Sequence, residues 1–290
     1  MHPESAGEGN RDIMTFQNIS YDLDNLPVMP EVAMATIKLI NSQDSSAEKL
    51  AEVVSRDPVV MARVLKIANS SFYSMSRQVT SLSKAIVILG EKTLRNLVLA
   101  ASMHGMHRSF GPVEKMLWED SLICALASRF VADKLSLVDP EEAFLAGLFR
   151  HIGKVVLSTQ GGHELVAELV TEESSQTLAK EKEVFGANHA EIGAAALERW
   201  QLSRLLSLVT LHHSDAALVG IEDPETIKMI CLINITNLVP AAFGVFGMPQ
   251  LFDFEALPGA QHLNLDGERL AELLREFKVI FVGSKAAFFN

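Results

Sequence analysis

Apolar residues recur at helical spacing along almost the whole chain, and the breaks between runs fall at proline, glycine and capping residues. Residues 31–40 put Val32, Ala35, Ile37, Leu39 and Ile40 mostly on one side. A second helix starts at Ser45 or Ser46 and runs to about 55. Asp57 and Pro58 then supply an N-cap and a first-position proline for a third helix over 58–69. A fourth, 81–89, stops at Gly90, and a fifth covers 93–106. After Gly111 and Pro112 the helices lengthen: 113–135, 140–149 and 152–158, with a break at Gly161 and Gly162. Further helices are predicted over 176–184 and 189–200, then over 203–213 and 225–239. Asn188 and Glu191 form a capping-box-like pair at the start of the 189–200 helix.

The pattern predicts an all-α protein with a boundary near residues 107–113. A disordered tail is expected over 1–19, an N-terminal helical subdomain over 20–108, a multi-helix bundle over 109–245 and a C-terminal extension over 246–290 packed on that bundle. Phe277, Phe281, Phe288 and Phe289 in the extension either pack as a final helix or expose a surface for a partner.

Composition narrows the function classes. Hydrophobic residues at 48% and charged residues at 21% describe a chain able to bury a large core. A formal charge of −11 argues against a general basic surface for a phosphate backbone, so nucleic acid is not expected as a partner. Cys124 and Cys231 both sit in apolar runs, which fits buried inert thiols and a cytoplasmic location. The stretch 229–252 lacks charge and is long enough for roughly 30 Å of hydrocarbon. Asn234, Thr236, Asn237 and Pro240 interrupt it, however, and favour a buried helix followed by a loop over a membrane span.

Histidine carries the candidate chemistry. Three stretches, around His151, around His189 and at His212-His213, lie in helical patterns of the second half, and a folded bundle is able to bring four imidazoles together as a metal site. His212 and His213, adjacent on a helix, point about 100° apart and share an ion only near a helix end or with adjusted rotamers. His104 and His107 have an i, i+3 ligand spacing but no obvious third partner. Lys154 is either a phosphate contact or, on the blander reading, a solvated lysine at a helix start. Trp118 and Trp200 read as core anchors.

Several motifs together resemble the HDOD (HD-related output) domain, a divergent branch of the HD metal phosphohydrolases. They are Leu26-Pro27-Val28-Met29-Pro30, the Asp57-Pro58 helix, Lys66-Ile67-Ala68-Asn69-Ser70 and the 83–90 stretch ending in Leu89-Gly90. The second half adds Ile152-Gly153-Lys154, His189-Ala190-Glu191-Ile192-Gly193, Trp200 and His212-His213. The resemblance spans about residues 20–245 and implies an all-α, HD-like bundle and a role in bacterial signal transduction.

It also exposes departures. Catalytic HD enzymes carry a His-Asp pair where this chain has Arg150 and His151. The earlier histidine falls near Asp120, and the late carboxylate falls at Asn234. A carboxylate bridges two ions with its two oxygens, whereas a neutral imidazole offers one lone pair, so a dinuclear phosphodiesterase centre is not expected. The resemblance places His189, His212 and His213 at ligand positions; His151 is a fourth nitrogen, and Asp120 or Asn234 an oxygen ligand. Two readings of the centre stand side by side: one transition-metal ion (Fe, Zn or Ni), or a polar remnant without metal. Arg150 and Asp120 are expected to fill the vacated site with an internal ion pair.

The functional expectation is a regulatory protein with a degenerate HD site and no catalytic residues, acting by binding. A mononuclear metal phosphohydrolase acting on a nucleotide or cyclic dinucleotide is the alternative. The helical domain uses nearly the whole chain, which implies a signalling protein partner in trans; a nucleotide or phosphate is a further candidate ligand.

Overall fold

In the computed structural model, the residues described are 26–289 apart from 27, 43–45, 74–77, 104–105, 107–110, 160–165 and 168–174. The 1–19 tail, His104, His107 and the Gly161-Gly162 break lie outside them. The described residues are helical with no strand.

Five helices form the N-terminal unit: α1 (Glu31–Ile40), α2 (Ala47–Ser55), α3 (Pro58–Ala68), α4 (Leu82–Leu89) and α5 (Glu91–Met103). A 3₁₀ turn, Ser71–Tyr73, follows α3. Local chemistry sets the ends. Asp57 Oδ1 accepts from the backbone N–H of Val59 and Val60 at the start of α3, while Ser46 and Ser81 cap α2 and α4 in the same manner. Gly90 closes α4 with φ +84°, a left-handed value that glycine adopts without strain.

The bundle then follows with α6 (Pro112–Leu135), α7 (Pro140–Phe149), α8 (Ile152–Leu157), α9 (Ser175–Phe185), α10 (His189–Arg199), α11 (Arg204–His212) and α12 (Pro224–Thr236). The expected capping box is present: Glu191 N–H donates to Asn188 Oδ1, and Asn188 N–H donates to Glu191 Oε2. Helix α12 is buried by protein over Met229–Thr236, and the chain passes through the short α13 (Val239–Ala242) into a loop. No described helix is long and apolar enough to cross a membrane.

Short α14 (Pro258–His262) packs on α12, and α15 (Gly267–Phe289) runs back across the molecule. Phe277 meets Phe130 of α6 and Phe243, with ring centroids 5.7 and 5.6 Å apart. Further along, Phe288 packs edge-on against Phe72, and Ser284 shares a 2.8 Å hydrogen bond with Ser71. Thus α15 touches both the bundle and the N-terminal unit. One continuous apolar cluster extends from Met29 to Phe288, and Glu141 ties α5 to the bundle through Thr93, Asn96 and Arg129.

Glycines decide the closest packing. A Cβ on Gly147 would meet the α6 backbone at Cys124 and Ala125, and one on Gly153 would collide with the backbone of His189 and Gly193. Helices α8 and α10 therefore touch backbone to backbone beside two of the candidate histidines. Gly153→Ala forces them apart at an overpacking cost of about 1–3 kcal/mol; a fall in thermal midpoint relative to the unaltered protein is the check.

Candidate metal centre

Each histidine of the centre stands at a helix end. Arg150 is the C-cap of α7 and His151 the N-cap of α8, so the chain turns between them and both side chains point inward. His189 is the first residue of α10, and His213 is the C-cap of α11. Helix ends carry spare backbone donors and acceptors, which is why polar side chains are tolerated there in a buried setting.

His151, His189 and His213 converge: one ring nitrogen of each lies within 4.8 Å of those of the other two. Ring centroids are 5.0 to 5.5 Å apart. All three are enclosed, with exposures of 3%, 0% and 0%.

In every case Nδ1 faces an acceptor. His151 Nδ1 lies 2.8 Å from Asp120 Oδ2, His189 Nδ1 2.7 Å from Glu181 Oε2, and His213 Nδ1 2.7 Å from the Thr210 carbonyl. An acceptor there fixes the proton on Nδ1 and leaves the Nε2 lone pair for the common centre, as in metal sites whose imidazoles are oriented from behind by carboxylate or carbonyl groups. Glu181 Oε2 also accepts the His189 backbone N–H at 2.7 Å, satisfying a first-turn donor of α10. Ser214 Oγ lies 3.2 Å from His213 Nε2.

The flanking charges are balanced. Arg150, fully buried, makes a 2.7 Å ion pair from Nη2 to Asp120 Oδ1; its Nε donates to Asn237 Oδ1 at 2.5 Å, and Nη1 donates to the Gly147 carbonyl at 3.1 Å. Burial by itself raises the Asp120 carboxyl pKa, but Arg150, His151 and Lys154 outweigh it and hold the group below its ordinary range. Burial likewise opposes ionisation of Glu181, and His189 together with Lys154 prevails, so Glu181 also titrates low. Lys154 is 2% exposed, which corrects the expectation of a solvated lysine: its charge acts on both carboxylates from inside the bundle. The cysteines are buried too, and burial pushes the Cys231 thiol up to about 11.

Three of the six residues expected as ligands stand elsewhere. His212, pointing away from His213 as the 100° step dictates, borders a separate surface cleft with Arg204 and Glu222. Asp120 spends its two oxygens on Arg150 and His151, one step behind the centre. Asn234 donates to the carbonyls of His213 and Ser214 and accepts from the Gly259 N–H, pinning the α11 end rather than facing the imidazoles. Two participants, Glu181 and Asn237, were not expected. Glu181 sits in the run Lys180-Glu181-Lys182-Glu183, which reads as a solvated face.

The donor set fits a metal ion. Three neutral imidazoles suit a transition metal rather than Mg or Ca, and two buried carboxylates, acting through Nδ1–H, supply compensating negative charge. Glu181→Gln keeps an acceptor for His189 but removes that charge; metal affinity is expected to drop about 10–100-fold, read by competition with a chromophoric chelator.

Comparison with known proteins agrees with this architecture. The HDOD domain model matches residues 26–216. A Treponema pallidum (strain Nichols) protein of uncharacterised function is 23% identical over 205 residues, which is 68% of this chain and 39% of that protein. The chain thus spans well under half of the length of that relative. An HDOD domain protein of unknown function from Geobacter sulfurreducens superposes with a TM-score of 0.74 at 22% identity, covering 93% of this chain and 95% of its own. A candidate phosphohydrolase from Shewanella amazonensis SB2B gives 0.70 at 24% identity, covering 91% and 96%. A match running through both helical units, together with the shared fold, shows that the chain belongs to the HDOD family.

Proposed function

We propose that this chain is a regulatory HDOD protein of a bacterial signalling pathway that acts by binding, with a partner protein in trans, and that its histidine centre holds a single Fe, Zn or Ni ion. The observation that carries the reading is the Arg150–Asp120 pair with His151 beside it. A dinuclear hydrolase needs a bridging carboxylate in the centre; here Asp120 is committed to a guanidinium and an imidazole, and Glu181 to the ring and backbone N–H of His189.

Side-chain burial points the same way. The three imidazoles are buried where α8, α10 and α11 meet, not laid open in a surface cleft. A metal held there supplies positive charge and a fixed coordination preference. His151, His189 and His213 orient it, while Asp120, Glu181 and the Thr210 carbonyl hold their rings. The ion acts as a cross-link between helix ends, adding its binding free energy to that of the fold.

Elemental analysis of protein purified without added metal, followed by assays on nucleotides, cyclic dinucleotides and a chromogenic phosphodiester with Fe, Mn, Ni and Zn, tests this reading. About one equivalent of transition metal and no turnover is the expected result. Turnover that disappears in His189→Ala would replace it with the mononuclear phosphohydrolase, in line with the name borne by the Shewanella amazonensis protein.

A further inference from the structure

Against its net charge of −11, the chain gathers cations around one cleft of about 480 Å³ formed by α3, α6 and the end of α15. Arg63 and Lys66, at i and i+3 on α3, share a helix face, and Lys115 comes from α6. Half-buried Phe289 supplies an accessible aromatic ring, backed by the edges of the buried Trp118 and Phe288. Glu119 is the acidic member of the lining and lies 3.9 Å from Lys115, too long for a hydrogen-bonded pair. Arg63 and Lys66 make no ion pair among the described residues, so their charge is available to a ligand.

From this lining we infer a second binding site, for a small anion that carries a planar ring, of the nucleoside monophosphate class. The cleft is within the size range of small-molecule sites. Guanidinium and ammonium groups recognise a phosphate, and an accessible phenyl ring such as that of Phe289 stacks on a base. Neither element alone selects the ligand: the cations fit any anion, and the aromatic groups fit any flat apolar body. Their combination in one cleft selects a ring bearing a phosphate.

The site is separate from the histidine centre yet joined to it by one helix. Lys115, Trp118 and Glu119 lie at i, i+3 and i+4 on α6 and share a face, whereas Asp120, two positions after Trp118, points about 200° round the helix toward Arg150 and His151. Loss of metal and loss of nucleotide binding are therefore separable outcomes.

Calorimetric titration of the full chain with AMP, GMP, CMP and UMP, and with adenosine and inorganic phosphate as fragments, tests the inference. At least one mononucleotide is expected to saturate a single site below about 1 mM, with both fragments at least about tenfold weaker. Arg63→Ala and Lys66→Ala, at partly exposed positions where the fold survives, are each expected to weaken it about tenfold or more. Absence of saturable binding by all four mononucleotides overturns the inference. So does binding that the Arg63→Ala/Lys66→Ala double variant leaves unchanged, because the ligand would then sit elsewhere.

Discussion

With the centre proposed to hold one metal ion, purified His189→Ala protein is expected to carry less than about a tenth of the transition metal bound by the unaltered chain. Two imidazoles remain, and neither neighbouring carboxylate is oriented to take the third place. Asp120 is committed to Arg150 and His151, and Glu181 loses its partner Nδ1 while keeping the backbone N–H of residue 189. His212→Ala is the matched control. Because that side chain borders a different cleft, its metal content should equal that of the unaltered protein, whereas joint loss in both variants would contradict the three-histidine centre. Elemental analysis of both proteins, normalised to protein concentration, is the measurement.

Stability carries the second large effect. Arg150→Met leaves the Asp120 carboxylate, 1% exposed, without its guanidinium, and removing one partner of a buried pair costs about 3–5 kcal/mol. Denaturant titration reads the loss as a lower midpoint at unchanged slope. The double variant Arg150→Met/Asp120→Asn removes the stranded charge while keeping an oxygen that accepts from His151 Nδ1–H, and it is expected to recover more than half of the loss. If the double variant is as unstable as Arg150→Met, the defect lies in the shape of the side chain and its bonds to Asn237 and Gly147, not in the charge.

Much of this architecture was legible in the sequence, for local reasons. Asp57-Pro58, the Asn188/Glu191 box and Gly90 are short-range signals whose partners lie within four residues, and each appears as expected. The Arg150–Asp120 pair was legible too, because a substituted pattern leaves two opposite charges facing one buried place. What was not legible depends on tertiary placement. Glu181 hides within alternating charges, and only the fold reveals which of four charged neighbours turns inward. Lys154 follows the same logic from the other side: a lysine in the first turn of a helix looks solvated until α10 packs against α8 and brings Glu181 within reach of its charge. The separation of His212 from His213 was foreseeable from the helical step, but choosing between them required knowing which face of α11 meets α10.

The aromatic strip of α15 alters where the folding unit ends. The family model matches only as far as residue 216, yet Phe277 and Phe281 fill the same apolar interior as Phe130 and Phe243, and the hydroxyl pair Ser71/Ser284 clasps the far end of that helix to the opening third of the chain. A fragment trimmed to the recognisable motif would bare the flank of α6 and the seat of Phe72 to water. The smallest piece expected to stand alone is thus longer than the segment the family model matches.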